Sequence, residues 1–582
     1  MQDIYLSTRN FVANIFGENA TGAAGNVAIS ADSLQLVFSG IDTNSFSLES
    51  KTGRAGDISV TARDIQLETS LFQAQGYERG GAITVNADRV LLTDSRFETQ
   101  TILTPGGGIA ILAKTVDLTQ GSQLISVTGG DGDAGSINLS ASEHIGILEG
   151  SRFVRPRGIF TQSFGALGSL GDAGDVFITT PQLQMTAGGR INTVTRSSGR
   201  GGNVTINATD SVSISGEFPD DISVPLFNLG PGHQSGIFTS TVGGKCAGPC
   251  GDAGRISITT GSVIMGSGSQ IDSGTSSNGQ GGNITVVSRD AIAMSGTVST
   301  GQPGGILSRT TGTEPDSGSG SNIALTAGHS VTISDGASIS TSSTGPGNTG
   351  NIQINAGNQF AMTDSSVTTE ANLASGGAIK ITTTPSGTVQ LTNSLISASV
   401  LDGTGGGGSV NIDPQFVILQ NSQILAQATQ GPGGNIFITT NLLLPDANSV
   451  ISASSQIGVN GTITIQSPNA PASGKIQPLG KTPLLATSLL NQRCAALAGG
   501  EFSSFTVAGR DSLPTEPGSW LASPLATLNP GMGLGVKAEG VRSVARGEGL
   551  EGETALLSLR QITPAGFLTQ TFAVDWSAGC QS

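Results

Sequence analysis

The sequence predicts an all-β protein: a right-handed parallel β-helix with three short strands per coil, followed by a small C-terminal unit. Three observations predict it. The pattern Gly-Gly-Asn/Asp-Ile/Val-x-Ile/Val returns through most of the 582 residues, apolar and polar residues alternate within each repeat, and helical spacing is absent over any comparable length. Clear copies begin at Gly201-Gly202-Asn203-Val204-Thr205-Ile206, Gly281-Gly282-Asn283-Ile284-Thr285-Val286 and Gly433-Gly434-Asn435-Ile436-Phe437-Ile438. Ala replaces the first glycine at Ala24, Ala55 and Ala173, and looser copies sit at Gly80, Gly106, Ala134, Ala253, Thr349, Gly376, Gly407 and Asn460. Many neighbouring copies are about 25–31 residues apart, a period that marks a solenoid.

Each period holds three strand-like runs, such as Asn322-Ile323-Ala324-Leu325, Ser330-Val331-Thr332-Ile333 and Ala337-Ser338-Ile339-Ser340. Period-two alternation makes each run a half-buried strand whose Ile, Val and Leu face inward. Gly, Asn, Asp and Ser between the runs are expected to supply positive φ angles and Asx hydrogen bonds for tight turns. Asn26, Asn203, Asn283, Asn351 and Asn435 should then form a ladder of stacked amides at one corner. Roughly fifteen coils at strand spacing give a rod of about 70 Å. A β-sandwich would instead need hairpin turns and Greek-key variation.

The expected organisation is repeats over residues 1–465, a Pro/Ala/Gly-rich linker over 466–483 and a C-terminal segment over 484–582 bracketed by cysteines. In that last segment Ser503-Ser504-Phe505-Thr506-Val507, Ala555-Leu556-Leu557-Ser558-Leu559 and the run from Phe567 to Val574 read as strands. Excursions at 149–160, 217–236 and 296–305 fall between the second and third strands of a coil. Insertions at one register emerge on one face of a solenoid, often its working face.

Glycine supplies 86 residues, about twice the usual share, while charged residues make up only 12 %. The net charge of −15 and the lack of a long Lys/Arg cluster exclude nucleic acid as the expected partner. The densest basic stretch, Arg152-Phe153-Val154-Arg155-Pro156-Arg157, reads as a solvated loop. No window of about 20 apolar residues offers a membrane span. The chain opens Met1-Gln2-Asp3-Ile4-Tyr5 without a basic and apolar leader, and the motif already starts at Ala24. The expectation is that a natural N-terminal part is missing.

Four cysteines are present. Cys246 and Cys250 flank a Gly/Pro turn and read most simply as a local disulfide, with free thiols or a metal site as alternatives. Zinc would need two further ligands, and the nearby histidine is His233. Cys494 and Cys580 are candidates to pair in an oxidising compartment, although four cysteines allow three complete pairings. Asp220, Asp221 and His233 share one insertion, with Arg255 following, and form the candidate ligand-facing loop. Paired carboxylates beside a histidine suit acid–base hydrolysis of a sugar polymer. Pectin-degrading hydrolases spread a loosely similar set over successive coils, whereas this one is compressed into a single loop. A surface turn is the preferred reading, and no catalytic residue, metal or cofactor is assigned. Gly129-Gly130-Asp131-Gly132-Asp133 resembles half of a calcium-binding repeat but occurs once, so it reads as a turn. The glycines at 405–408 belong to the repeat, since no helix follows them.

The Gly-Gly-Asn-Ile-Thr-Ile repeats over about residues 20–465 resemble those of filamentous-haemagglutinin-like exoproteins of two-partner secretion in Gram-negative bacteria. The tail adds Asn491-Gln492-Arg493-Cys494-Ala495-Ala496, then the run from Ser503 to Arg510, then Leu513-Pro514, similar to the C-terminal signature of many members. Asp511-Ser512 stands where Gly-Gly is usual. The family's N-terminal secretion domain, with its capping β-helix and Asn-Pro-Asn motifs, has no counterpart here. The resemblance implies export through an outer-membrane pore-forming transporter and contact with glycans or surface proteins of host or neighbouring cells. It also implies an extracellular or surface location. A non-enzymatic adhesin rod is the first expectation. A polysaccharide lyase or hydrolase on the same scaffold and a purely structural stalk are the alternatives.

Overall fold

In the computed structural model of the chain, residues 4–7, 10–12, 22–45, 52–148, 156–164, 170–218, 234–241, 250–468, 556–563 and 566–573 are described. The chain divides into two units, Met1–Ile476 and Gln477–Ser582. The first unit is the predicted right-handed parallel β-helix, of about 14 turns with three strands per turn. One coil shows the rule: Ile323–Ala327 lies on the first face, Ser330–Ser334 on the second and Ser338–Ser340 on the third. The next coil repeats it with Ile352–Ala356, Gln359–Thr363 and Ser366–Thr368, each strand pairing in parallel with its predecessor.

Third-face strands make one 15-stranded sheet, whereas strands of the first and second faces join in a single 25-stranded sheet. They join because five coils, from Ile109–Thr119 to Ile256–Gly266, run both strands as one of 11 or 12 residues. These long strands round the first corner with a register shift, as between Ala113 and Thr115. A bulge there bends the strand without ending the ladder.

Inward residues build one continuous core. Ile284, Val286, Ile292, Met294 and Ile306 of a single coil are 0–2 % exposed, and each sits above its counterpart in the next coil. Phe72 and Phe97 stack in the third-face column with ring centroids 4.5 Å apart. Isolated repeats could not bury these side chains, so the stack and the core form together.

The glycines of the motif do a different job from the one expected. The second glycine of each copy is absent from the residues with positive φ. It is needed for close approach: a Cβ on Gly202 would lie 1.9 Å from the carbonyl oxygen of Gly174, and one on Gly434 would lie 1.8 Å from that of Gly408. In many coils a buried hydroxyl crosses the same corner, as where Thr239 Oγ1 donates to Gly254 O at 2.6 Å and Thr369 Oγ1 to Gly377 O at 2.9 Å.

Positive φ belongs instead to the corner between the second and third faces, where ordinary residues adopt it, among them Phe38, Thr69 and Ala187. Left-handed backbone is uncommon outside glycine and costs of order 1–3 kcal/mol. A serine ladder accompanies it: Ser70 Oγ accepts from Ser39 N at 3.2 Å, Ser95 Oγ from Ser70 N at 3.0 Å, and Ser122 Oγ from Ser95 N at 3.1 Å.

The asparagine ladder stands at the expected corner but works through its oxygen. Asn26 Oδ1 accepts from Asp57 N, Asn283 Oδ1 from Asn322 N and Asn322 Oδ1 from Asn351 N, at 2.8, 3.0 and 2.9 Å. A carboxylate accepts equally well, and Asp57 Oδ1 takes Ala82 N at 2.8 Å. Amide-to-amide stacking occurs only locally, as where Asn351 Nδ2 donates to Asn322 Oδ1 at 3.1 Å. Hence Asn and Asp interchange in the motif.

The three excursions leave at the corner between the second and third faces, as expected, and the first of them ends sooner than expected. Strands resume at Arg157–Ser163, Gly236–Phe238 and Gly305–Leu307. Arg157 is thus not in a solvated loop. It is 2 % exposed, donates through Nη2 to Ala187 O and lies over the Phe218 ring at 5.4 Å. In the second unit, Leu556–Thr563 pairs antiparallel with Gly566–Ala573, on two of the three expected tail segments. The run 503–507 lies outside the described residues.

Two outcomes follow for stability. Gly202→Ala should destabilise the rod by about 3 kcal/mol, at the upper end of overpacking costs, because the clashing atom is backbone. Gly266→Ala, whose nearest neighbours are 3.9 Å away, should leave the urea midpoint read by circular dichroism nearly unchanged. Equal effects would remove the close-approach explanation. Asn283→Asp should be close to neutral, while Asn283→Ala should cost about 1 kcal/mol, the worth of one hydrogen bond. A marked loss in the Asp variant would contradict an oxygen-mediated ladder.

Candidate functional site

Outward positions on the third face change character along the rod. In coils from Ser338–Ser340 onward they carry short hydroxyls, such as Ser366, Thr368 and Ser397, mixed with Leu395, Gln423, Leu425 and Val450. In earlier coils they carry long polar chains. The register Asp42, Gln73, Glu98, Ile125, Phe160, Asn192, Phe238, Asp272, Leu307 runs through consecutive coils. None of its apolar members belongs to the inner core column, which here is Leu124, Ile159, Ile191, Ile237 and Ile271.

Beside it, long polar side chains alternate with glycine: Gln123, Gly158, Arg190, Gly236, Gln270, Gly305. Each long side chain reaches the backbone carbonyl two residues before the next glycine. Gln123 Nε2 donates to Pro156 O at 2.5 Å, Arg190 Nε to Gln234 O at 3.1 Å and Gln270 Nε2 to Pro303 O at 2.7 Å. Those three carbonyls mark where the three excursions return to the rod, so one device clamps all three exits. Glycine opposite each clamp answers to close approach of the next coil's backbone: a Cβ on Gly158, Gly236 or Gly305 would lie 1.8–2.2 Å from the carbonyl oxygen of Arg190, Gln270 or Ser338. Two of the excursions also meet: Ser299 N donates to Glu217 Oε1 at 3.0 Å, and Glu217 and Thr297 pair antiparallel with Gln234 and Pro303 at their own necks.

Electrostatics on this face are set by burial. Arg190 is 3 % exposed, and burial pulls its guanidinium down to about 10, so it stays charged at neutral pH. The Phe238 ring lies 4.9 Å below its Cζ, a cation–π contact strengthened by dehydration. Burial likewise raises the Asp272 carboxyl above its ordinary value, opposed by Arg309 at 3.4 Å and by the Gly274 backbone. Asp42 is raised by burial alone. Nearer the N-terminus, Gln75 Nε2 donates to Glu98 Oε1 at 2.8 Å and Arg96 pairs with Glu98 at 3.0 Å.

The residues singled out from sequence fall differently. Asp220, Asp221 and His233 lie outside the described residues, as do Cys246, Cys494 and Cys580. Cys250 is 7 % exposed, and its N–H donates to Asn278 Oδ1 at 2.7 Å. Arg255 is exposed at the asparagine corner, where its N–H donates to Asn203 Oδ1 at 3.0 Å. The aspartates of the run 129–133 serve coil stacking: Asp131 and Asp133 accept from Leu170 N and Asp172 N, and Asp172 accepts from Arg200 N. Among the described residues no group of three His, Cys, Asp or Glu side chains is placed to hold a metal ion, and no helix is long and apolar enough to cross a membrane.

Sequence reading missed the third-face residues because repeats were aligned on the first strand, and excursions of unequal length precede the third. Alignment on the third strand would have exposed the row of Gln, Arg and Asn in the earlier coils. Compared with protein-family models, curated proteins and solved structures, the chain finds no match.

Linkage at Asp272 has a definite sign. A carboxyl raised in the folded state binds its proton more tightly there than when unfolded, so stability falls as pH rises from the ordinary carboxylate value through the raised one. Relative to Asp272→Asn, the parent chain should lose stability over that window and hold a constant difference above it. Urea midpoints of the two proteins, measured from pH 3 upward, check this. Parallel curves would show that the carboxyl is not perturbed.

Proposed function

We propose that this chain is a non-enzymatic adhesin rod of the filamentous-haemagglutinin-like kind, exported through an outer-membrane two-partner-secretion transporter. It acts at the cell surface or beyond it. The observation that supports this reading most is the third face from Asp42 to Arg309. Amides, guanidinium groups and aromatic rings stand in register there over successive coils, flanked by three clamped excursions. With Gln123, Arg190 and Gln270 engaged in the clamps, the polar positions of this face that stay partly exposed, such as Gln73 and Gln75, are the ones offered to a long polyhydroxylated ligand. The solenoid supplies the length over which weak contacts add. Among the described carboxylates of this face, Glu98 and Asp272 are engaged by Arg96 and Arg309, while Asp42 is raised by burial alone.

Glycans or surface proteins of host or neighbouring cells are the proposed partners. The Cys246–Cys250 turn and a Cys494–Cys580 pair are proposed as disulfides suited to an exported protein.

The purified chain is expected to bind polymeric glycans on an array and to release neither reducing ends nor unsaturated uronates from those it binds. Replacing residues 219–233 by a short glycine link should weaken binding roughly tenfold without loss of the β signal, about 1.4 kcal/mol. Silence on every glycan and cell surface, or product release from a bound polymer, would overturn the reading.

A further inference from the structure

We propose that Gln162 and Asn192 are a pair of acceptors held ready for ligand hydroxyls and that, with Phe160, they form a saccharide subsite on the third face. The inference rests on the adhesin reading. Strand alternation places both side chains outward: Ile159 and Ile191 lie in the core column, while Thr161 and Thr193 turn inward and bond Gly174 O and Gly202 O. Phe160 pairs with Asn192 and Gln162 with Val194, so the two amides are diagonal neighbours on adjacent strands. Strand geometry puts them about 8 Å apart, a distance that one sugar ring with its substituents spans.

Both are buried, Gln162 at 2 % and Asn192 at 1 % exposure, yet Gln162 Oε1 and Asn192 Oδ1 have no hydrogen-bond partner. Buried polar atoms are nearly always paired, and each exception asks for a reason. The rod itself supplies none. Gln162 stands in register between Val127 and Val194, and Asn192 between Phe160 and Phe238. Both rows therefore accept apolar residues on either side, and an apolar residue at either position would spare the fold a dehydrated carbonyl. Their neighbours Gln123 and Gln270, on the same face, spend their amides on clamping the excursions. Gln162 and Asn192 clamp nothing there.

Two bare acceptors call for donors, and a neutral sugar unit presents several hydroxyls at that spacing on one ring. Because the acceptors are already dehydrated, a hydroxyl arriving there meets no competing water. Burial also means that binding needs a local opening, which slows association.

The test uses the full chain with Gln162→Met, Asn192→Leu and both together. Each substitution keeps volume and removes the unpaired carbonyl. The expected result has two opposite signs: an unfolding midpoint equal to or above the parent's, and affinity for parent-bound glycans at least tenfold weaker in the double variant. Surface plasmon resonance should show slow association for the parent. A lowered midpoint would assign both amides to the fold and overturn the proposal. Unchanged affinity would overturn it while leaving the adhesin reading intact. A parent that binds no glycan would overturn both.

Discussion

The rod depends on one constraint: backbones of successive coils must meet at strand distance around every corner, including the one that carries no strand. At the corner before the first face, this brings the second glycine of each motif against the carbonyl of its predecessor, so close that a Cβ on Gly282 would lie 1.8 Å from Gly254 O. Glycine here is a matter of space and not of φ. Once that corner is closed, parallel pairing on all three faces follows in register, and the inward columns of Ile, Val and Leu come into contact without further specification.

Coil-to-coil bonding is then carried by short side chains acting as acceptors for the next coil's N–H groups. Asn and Asp serve at one corner, and Ser at the corner between the second and third faces. These are neutral or singly charged groups with few rotamers, so they lose little entropy in forming the ladder. A rod bonded this way needs few ion pairs.

Freedom to insert is concentrated where a left-handed residue and a serine suffice to turn the chain. The three excursions exploit that corner, and Gln123, Arg190 and Gln270 each hold the returning chain by one carbonyl. The long polar residues of the third face are thus partly architectural. Gln162 and Asn192 differ because their polarity stabilises nothing in the rod, and polarity that costs stability is where ligand chemistry is to be sought.

Local pattern by itself determined the fold class, the three strands per coil, the corner that carries the asparagines and the level at which the excursions leave. Each of these follows from periodicity within one chain segment. The reason for the glycines and the acceptor role of the Asn and Asp oxygens in the ladder were not legible, since both concern distances between residues some 25–52 positions apart. Nor was the burial of Arg157, read as solvated from its basic neighbours, nor the site itself. Phe160, Asn192 and Phe238 are separated by excursions of unequal length, so nothing in their spacing announces that they share a row. Only stacking of the coils puts them side by side, because register in a β-helix is counted from strand to strand and not from residue to residue.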